Sequence, residues 1–581
     1  MAAQLPIPVF TSLNEIHTDL QTAALQATRW DNLVQEFEKR YGTKPAYICR
    51  APGRVNLIGE HIDYALFGVF PAAVESDILI ACGPSTDERL GGVTAENLNP
   101  RYTRQTFAPI LKNTLLPSAQ GTEAASNEES WFLEIDKKEL RWESYVKAGY
   151  YGILNRFFPP SAPNTRPVPV NLLVTGSVPS GSGLSSSAAM VVASTLAFLA
   201  VNDKLSGLTK GQLVEMDMEN EKRVGVNSGG MDQAASVISI PQSALYITFF
   251  PSLSAEPIPL PTPRTTPRAV FVCANSLVVS DKVVGAKTRY NLRVVETLVG
   301  ARVLALRLGL SLGPTERPTL REVFGRWLGI AETKGGPSTL DVETLRAGLE
   351  RILPEVEKLK PSRADGQEGL TLEEMVQWSG LSPEQFHELY LSWVDVEATH
   401  FQLYKRAKHV FSEALRVLQF RDVCLRAAAS SDTTLPESTL VELGVLMNAS
   451  QTSCADLYEC SCPELDALTK LAREAGAYGS RLTGAGWGGC TVSLVAEDKV
   501  DEFISRIKAV YGPYKNLEGD ALHDAIFATK PSSGACVYKP ALATILYPEY
   551  FETVKVDWTV WTQSGPVRYS CGSEAEQKTQ S

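Results

Sequence analysis

No apolar run in this sequence reaches the roughly 18 residues that a membrane-spanning helix requires. The longest candidate, Ala188 to Val201, is interrupted by Ser194 and Thr195, so no membrane partner is expected. The first residues, MAAQLPIPVF, lack a basic leader and a long apolar core, and a secretory signal is not expected. Positive charge is also in deficit: 55 Lys and Arg against 66 Asp and Glu leave a formal net charge of -11. A chain of that sign repels DNA and RNA, and nucleic-acid partners are not expected. The ten cysteines are scattered, most of them in apolar segments such as those around Cys82, Cys273 and Cys490. That distribution suits reduced thiols in a cytoplasmic protein. Cys454, Cys460 and Cys462 form the one cluster, but no second ligand pair follows at metal spacing, which argues against a zinc site. No fixed-period repeat is present.

What is present is a long chain of ordinary globular composition. At 581 residues it exceeds what one hydrophobic core serves, so two or more domains are expected. The first 40 or so residues read as an amphipathic helical region, with Trp30, Leu33, Val34 and Phe37 on one side. Residues 100–130 are polar and irregular, as in a surface insertion. A strand is expected over Val168–Thr175, followed by a Gly/Ser loop and a helix from about Leu184. Ala269–Ala274 reads as a buried strand. Residues 286–480 read as mostly helical, with Phe401, Tyr404, Phe411, Leu415 and Leu418 at helical spacing. A Gly-rich turn at 484–489 leads into a strand over Cys490–Val495, and the tail beyond 540, ending EAEQKTQS, has the composition of a disordered segment.

Four segments carry chemistry. Pro179-Ser-Gly-Ser-Gly-Leu-Ser-Ser-Ser-Ala188 lies between the expected strand and helix. Glycines allow close backbone approach, and the N–H groups and dipole of a helix start favour an anion. The serine hydroxyls can bond phosphate oxygens or a hydrated magnesium ion. No Lys follows the glycines, so this is a phosphate cradle but not a Walker A loop. The second segment, Arg50-Ala-Pro-Gly-Arg-Val-Asn-Leu-Ile-Gly-Glu-His-Ile-Asp-Tyr64, crowds Arg54, Glu60, His61 and Asp63 together. Those groups are the donors and acceptors that a polyhydroxylated sugar requires, although a solvated loop with incidental ion pairs would look the same. In the third, Asn227-Ser-Gly-Gly-Met-Asp-Gln233, Asp232 could accept a hydroxyl proton, or could be an ordinary turn residue. The fourth, Arg481-Leu-Thr-Gly-Ala-Gly-Trp-Gly-Gly-Cys490, could approach a ligand closely or form a tight turn.

Taken in order, these segments resemble the GHMP small-molecule kinases, and among them the galactokinases. GRVNLIGEHIDY resembles that family's own motif, PSGSGLSSSAA the superfamily's ATP loop and LTGAGWGGCTVSLV its third motif. NSGGMDQAAS, TRYNLRVVE, LYKRAKHVFSEALRVLQF and CSCPELDAL resemble the branch with fungal galactokinases and animal N-acetylgalactosamine kinases. The resemblance spans roughly residues 40–540. It implies a two-domain α+β fold, with a ribosomal-S5-domain-2-like N-terminal domain over 1–268 and a ferredoxin-like C-terminal domain over 269–540 carrying a helical insertion. Residues 541–581 would be an extension, and the active site would lie in the interdomain cleft. It implies ATP and magnesium as cofactors and transfer of the γ-phosphate to the C1 hydroxyl of galactose. Arg54, Glu60, His61, Asp63, Gly229, Asp232 and Tyr290 would line the sugar site. Asp232 would be the catalytic base, with Arg54 beside it keeping it charged and stabilising the transferring phosphoryl group. Gly181, Gly183, Ser185, Ser186 and Lys282 would hold the phosphates, and Ser187 and Glu221 the metal. The phosphate loop has Ser180 and Ser182 where the family often has glycine, and serine fits there unless a positive φ is demanded. N-acetylgalactosamine kinase activity is one alternative. A galactose- and ATP-binding co-inducer that engages a transcriptional regulator is another. The intact Ser187-Ala188 pair, Asp232 and Arg54 favour catalysis. A monomer is expected.

Overall fold

The structure is a computed structural model. It describes residues 2–540 except 18–19, 116–126, 137–140, 162–164, 226–228, 280–284, 331, 337–339, 362, 364–366 and 368, together with 558–562 and 565–569. Residues 1–539 form one compact unit. Its larger sheet has seven strands, in the order Val9–Phe10, Cys536–Tyr538, Tyr47–Ile58, Phe70–Pro84, Val170–Gly176, Val93–Asn97 and Gln105–Phe107. The two long central strands are buried on both faces for most of their length, which explains their near-continuous apolar reading. The helix Ser186–Val201 packs on these strands. Its interior residues, from Ala188 to Ala200 with Met190 the exception, are buried, so it is apolar on every side. The second sheet, in the order Gly479–Thr483, Cys490–Ala496, Ala269–Asn275 and Ile526–Thr529, is antiparallel throughout.

Between Ala269–Asn275 and Gly479–Thr483 the chain is mostly helical, as its pattern indicates. Capping boxes start several of these helices, among them Thr319 with Glu322 and Thr371 with Glu374. The long helix Leu403–Ala429 contacts Val342–Val356, Ser438–Asp456 and Tyr290–Arg307. Phe67, three residues past the sugar-motif segment, reaches this helical region and meets Phe411 and Phe324 edge-on, at 5.5 and 5.9 Å between ring centres.

Three details differ from the sequence reading. The amphipathic helix runs only over Leu20–Tyr41; a short helix, Leu13–Ile16, and the strand Val9–Phe10 precede it. Phe401 precedes its helix and bridges to Leu370. The 100–130 region contains the edge strand Gln105–Phe107 and a hairpin of Ile110–Leu115 with Asn127–Phe132, its residues 116–126 lying outside the described residues. Beyond residue 539 a separate unit contains an antiparallel pair, Trp558–Thr562 with Gly565–Tyr569. The expectation of disorder otherwise falls on residues outside those described.

Candidate active site

The strand Tyr47–Ile58 is irregular where it carries Arg54. Its register against Phe70–Pro84 shifts between Pro52 and Arg54 and again between Asn56 and Ile58. Such bulges re-aim side chains out of the ladder. Arg54 turns inward and is 2% exposed. Its Nε donates to Asp232 Oδ1 at 2.9 Å, its Nη2 to the same oxygen at 2.5 Å, and its Nη1 to the carbonyl of Gly183 at 3.0 Å. Burial works against the Arg54 charge, but Asp232 and Glu60 outweigh it and hold the guanidinium above its usual range. Asp232 sits in the first turn of the helix Met231–Ile238, behind Gly230 at φ 100°, rather than in a plain turn.

The phosphate loop has positive φ at Gly181, Gly183 and Ser185, and not at Ser180 or Ser182. The two serines that replace family glycines are therefore free of strain of that kind. Ser182 Oγ closes the loop on the Pro179 carbonyl at 2.7 Å. Ser185 precedes the helix Ser186–Val201, and its buried hydroxyl has no hydrogen-bond partner. An orphaned buried hydroxyl at a helix start is a vacancy for an anionic oxygen. Ser187 Oγ donates to Glu221 Oε1 at 3.1 Å, and Gln233 donates to the other Glu221 oxygen. One carboxylate and one hydroxyl suit a hard cation that takes its remaining ligands from water and phosphate. No cluster of three or more His, Cys, Asp or Glu fit to hold a metal occurs among the described residues. Lys282 lies outside the described residues.

Around His61 and Asp63 stands a wall of carboxylates and aromatic rings. Asp63 is 7% exposed, and burial, reinforced by the charge of Asp232, lifts it to about 6. Gly229 packs against it so closely that an added Cβ would fall on its carboxylate. His61 adopts φ 61°. Its Nε2 lies 2.9 Å from the Ala485 carbonyl and must donate there, so Nδ1, 3.1 Å from the Tyr64 hydroxyl, accepts. Tyr64 in turn meets the Tyr458 hydroxyl. The His61 ring lies 4.8 Å from that of Tyr458, 5.8 Å from Tyr290 and 5.6 Å from Trp487. The Tyr290 ring also lies 5.5 Å from that of Tyr64, and burial, then the charges of Asp63 and Asp232, push its hydroxyl well above its usual range.

The sequence-predicted residues Arg54, His61, Asp63, Gly229, Asp232 and Tyr290 thus converge, and Gly183 joins them to the phosphate loop. Glu60 stands apart in kind: Gly484 N–H, Arg481 and Asn56 Nδ2 all donate to its carboxylate, at 3.1, 3.0 and 3.2 Å. Sequence reasoning gave no role to Arg481, Thr483, His409, Glu413 or Tyr458. Arg481 had one signal, its place directly before the glycine loop. Thr483, the last residue of the strand Gly479–Thr483, shares that signal, while His409 and Glu413 on a helix and Tyr458 just past one have no local signature.

This pairing of a glycine-serine phosphate loop with a glycine-rich third segment, set on a mixed α+β frame, defines a GHMP kinase. Residues 145–239 match the GHMP kinase N-terminal domain and 433–512 the GHMP kinase C-terminal region, while 35–84 match the galactokinase galactose-binding signature. The galactokinase of Saccharomyces cerevisiae is 35% identical over 529 residues, covering 88% of this chain and 95% of its own length. That of Dictyostelium discoideum is 36% identical over 548 residues, covering 91% and 97%. The fold is shared with the crystal structure of Lactococcus lactis galactokinase complexed with galactose, at TM-score 0.56 and 22% identity over 87% of this chain and 99% of that one. The chain belongs to the galactokinase family, and its activity is that of an ATP-dependent galactokinase. Among the described residues no helix is long and apolar enough to cross a membrane.

Proposed function

We propose that this chain moves the γ-phosphate of ATP onto the C1 hydroxyl of galactose, with Asp232 as the proton acceptor. The observation that carries this reading is the position of Arg54, which bridges the Asp232 carboxylate and the Gly183 carbonyl of the phosphate loop. A group that accepts the sugar's proton and a loop that holds the nucleotide's charge are thereby fixed to one side chain. Gly181, Gly183, Ser185 and Ser186 cradle the phosphates, and Lys282 is assigned to the same task. Arg54, His61, Asp63, Gly229 and Tyr290 orient the sugar, and Glu60 completes that wall through the glycine loop. Ser187 and Glu221 would hold magnesium, which would neutralise phosphate charge.

Phosphoryl transfer of this kind depends on positioning and electrostatics rather than on covalent chemistry by the protein. Arg54, only 2% exposed, supplies a fixed positive charge where negative charge develops. The proton leaves the C1 oxygen for Asp232 as the new oxygen–phosphorus bond forms and the bond from the γ-phosphorus to the bridging oxygen of ADP breaks, a contribution of ~10²–10⁴-fold. The reaction is assigned to the cleft between an N-terminal domain over 1–268 and a C-terminal domain over 269–540, with 541–581 an extension. Nine described cysteines, all without disulfide partners and eight of them buried, support a reducing, cytoplasmic setting. The decisive experiment follows ATP consumption across galactose, N-acetylgalactosamine and other hexoses, with the phosphorylated position determined by NMR. Galactose phosphorylated at C1 is the expected result. ATP turnover with no product at C1 of galactose overturns the reading.

A further inference from the structure

We infer that Tyr64 and Tyr458 are positioning residues: a hydroxyl relay from Tyr458 through Tyr64 to His61, ending on the Ala485 carbonyl, fixes the His61 ring and with it the turn that carries Asp63. This rests on the functional reading above and deepens it at the sugar wall.

The direction of the relay follows from its last step. A carbonyl cannot donate, so His61 Nε2 gives its hydrogen to the Ala485 oxygen, 2.9 Å away, and Nδ1 of the neutral ring is left as an acceptor. The Tyr64 hydroxyl, 3.1 Å from Nδ1, donates its one hydrogen there. Its oxygen then accepts from the Tyr458 hydroxyl. Burial holds both phenols well above their usual range, so each keeps the hydrogen that the relay uses. Tyr458 is 0% exposed, and among the described residues Tyr64 is the one hydrogen-bond partner of its hydroxyl.

The origin of the relay is anchored. Tyr458 belongs to the corner that follows the helix Ser438–Asp456, and the carbonyls of this corner are taken in turn. Leu457 accepts from Arg406 Nη1 at 2.6 Å, Tyr458 from Arg293 Nε at 2.7 Å, and Glu459 from Arg293 Nη2 at 3.1 Å and Trp487 Nε1 at 3.0 Å. Buried Glu296 accepts from Arg406 Nε at 2.7 Å and from Arg293 Nη1 at 3.3 Å, so the two arginines are themselves held. The helix that supplies Arg293 and Glu296 opens with Tyr290, so one element fixes a ring of the sugar wall and the start of the relay. The Tyr458 ring centre is 4.8 Å from that of His61 and 4.4 Å from that of His409. His409 Nε2 in turn lies 3.0 Å from the Glu60 carbonyl, one residue before His61.

The far end needs such a tie. His61 sits at φ 61°, a left-handed conformation that a residue of its size seldom adopts unaided. Losing the Tyr64 hydroxyl takes a donor from His61 Nδ1 and the acceptor from Tyr458 at one stroke. Losing the Tyr458 hydroxyl leaves the bond from Tyr64 to His61 in place. The two losses therefore differ in size, and the second is contained in the first.

Tyr64→Phe, Tyr458→Phe and the double variant of the full chain test the relay. The readouts are kcat, KM for galactose and for ATP, and the imidazole nitrogen NMR signals of the substrate-free chain, with His61 assigned among the six histidines by His61→Gln. Tyr64→Phe is expected to raise the galactose KM ~10-fold, within the range of a buried acceptor left unpaired, with the ATP KM unchanged. Tyr458→Phe is expected to raise it ~3-fold, the effect of one net hydrogen bond. The double variant is expected to match Tyr64→Phe, because the Tyr458 hydroxyl acts through Tyr64. The His61 Nδ1 signal is expected to move away from its hydrogen-bonded position in Tyr64→Phe. A mere loss of folded protein lowers kcat without separating the two KM values. If Tyr64→Phe does not fold, Tyr458→Phe carries the KM and NMR readouts. The proposal is overturned if the galactose KM stays at its wild-type value in both single variants, or if both KM values rise alike. It is equally overturned if Tyr458→Phe raises the galactose KM by the same factor with and without the Tyr64 hydroxyl. Because the NMR signals are read without substrate, a wild-type chain that failed to phosphorylate galactose would refute the functional reading, whereas an unmoved His61 signal in Tyr64→Phe would refute the relay.

Discussion

Asp232→Asn tests the reaction centre with little change in shape. The amide oxygen of asparagine can still accept the two Arg54 bonds that now end on Oδ1 at 2.9 and 2.5 Å, so the geometry of the pair survives. What is lost is the proton acceptor and one negative charge. Removing the acceptor costs ~10²–10⁴-fold in turnover, or ~2.7–5.4 kcal/mol of barrier at 1.36 kcal/mol per tenfold. The charge loss acts on stability. Breaking a buried ion pair outright costs about 3–5 kcal/mol, which is the ceiling here, because Glu60 and Asp63 still act on the Arg54 guanidinium and Gly183 still accepts from it. The assays are ADP release at saturating substrates, calorimetric binding of ATP and of galactose, and urea unfolding. We expect kcat to collapse with both affinities retained, the signature of an interaction that matters in the transition state alone. Turnover within tenfold of wild type would remove Asp232 from the chemistry. Lost galactose binding with unaltered turnover at saturation would make it a binding group only.

Gly229→Ala places a methyl group on the Asp63 carboxylate and should raise the galactose KM with the ATP KM unchanged, as steady-state kinetics can show. His409 is neutral in the fold, held down to about 4 by burial against an ordinary 6.5. Its unfolded form therefore binds a proton that the folded form refuses between pH 6.5 and 4, and stability falls as pH falls through that window. The loss is ~3 kcal/mol at most at 1.36 kcal/mol per unit. Urea unfolding at a series of pH values should show a shallower slope there for His409→Gln. Phe67→Ala removes the ring that joins the sugar-motif segment to Phe411 and Phe324, and should cost ~3–5 kcal/mol in the same unfolding assay.

Much of this architecture could be read from local pattern. The helix Ser186–Val201 is apolar on every side, which only a helix buried on all faces tolerates, and the strand and glycine-serine loop before it carry the pattern of a phosphate cradle. Arg54, His61, Asp63 and Asp232 came from short segments in which charged groups sit among glycines. What escaped depends on partners far along the chain. Arg481 looks like any basic residue until Glu60 and Asn56, 421 and 425 positions away, are brought to it. Glu60 reads as a free carboxylate for the same reason. Val9–Phe10 lacks the length or alternation that marks a strand, because it exists only by pairing with Val537 and Tyr538. Asp232 looked like a turn residue because the helix it opens is only eight residues long.

The return of Cys536–Tyr538 to the large sheet has a consequence for biosynthesis. That strand lies between Val9–Phe10 and Tyr47–Ile58, and buried Arg50 donates to the Ser533 carbonyl at 3.0 Å and to Ser532 Oγ at 3.1 Å beside it. While the ribosome is still making the chain, Tyr47–Ile58 waits with one flank open and Arg50 lacks these acceptors. The N-terminal half therefore presents an open β edge, prone to wrong pairing, until residues 532–538 have been made and have joined it.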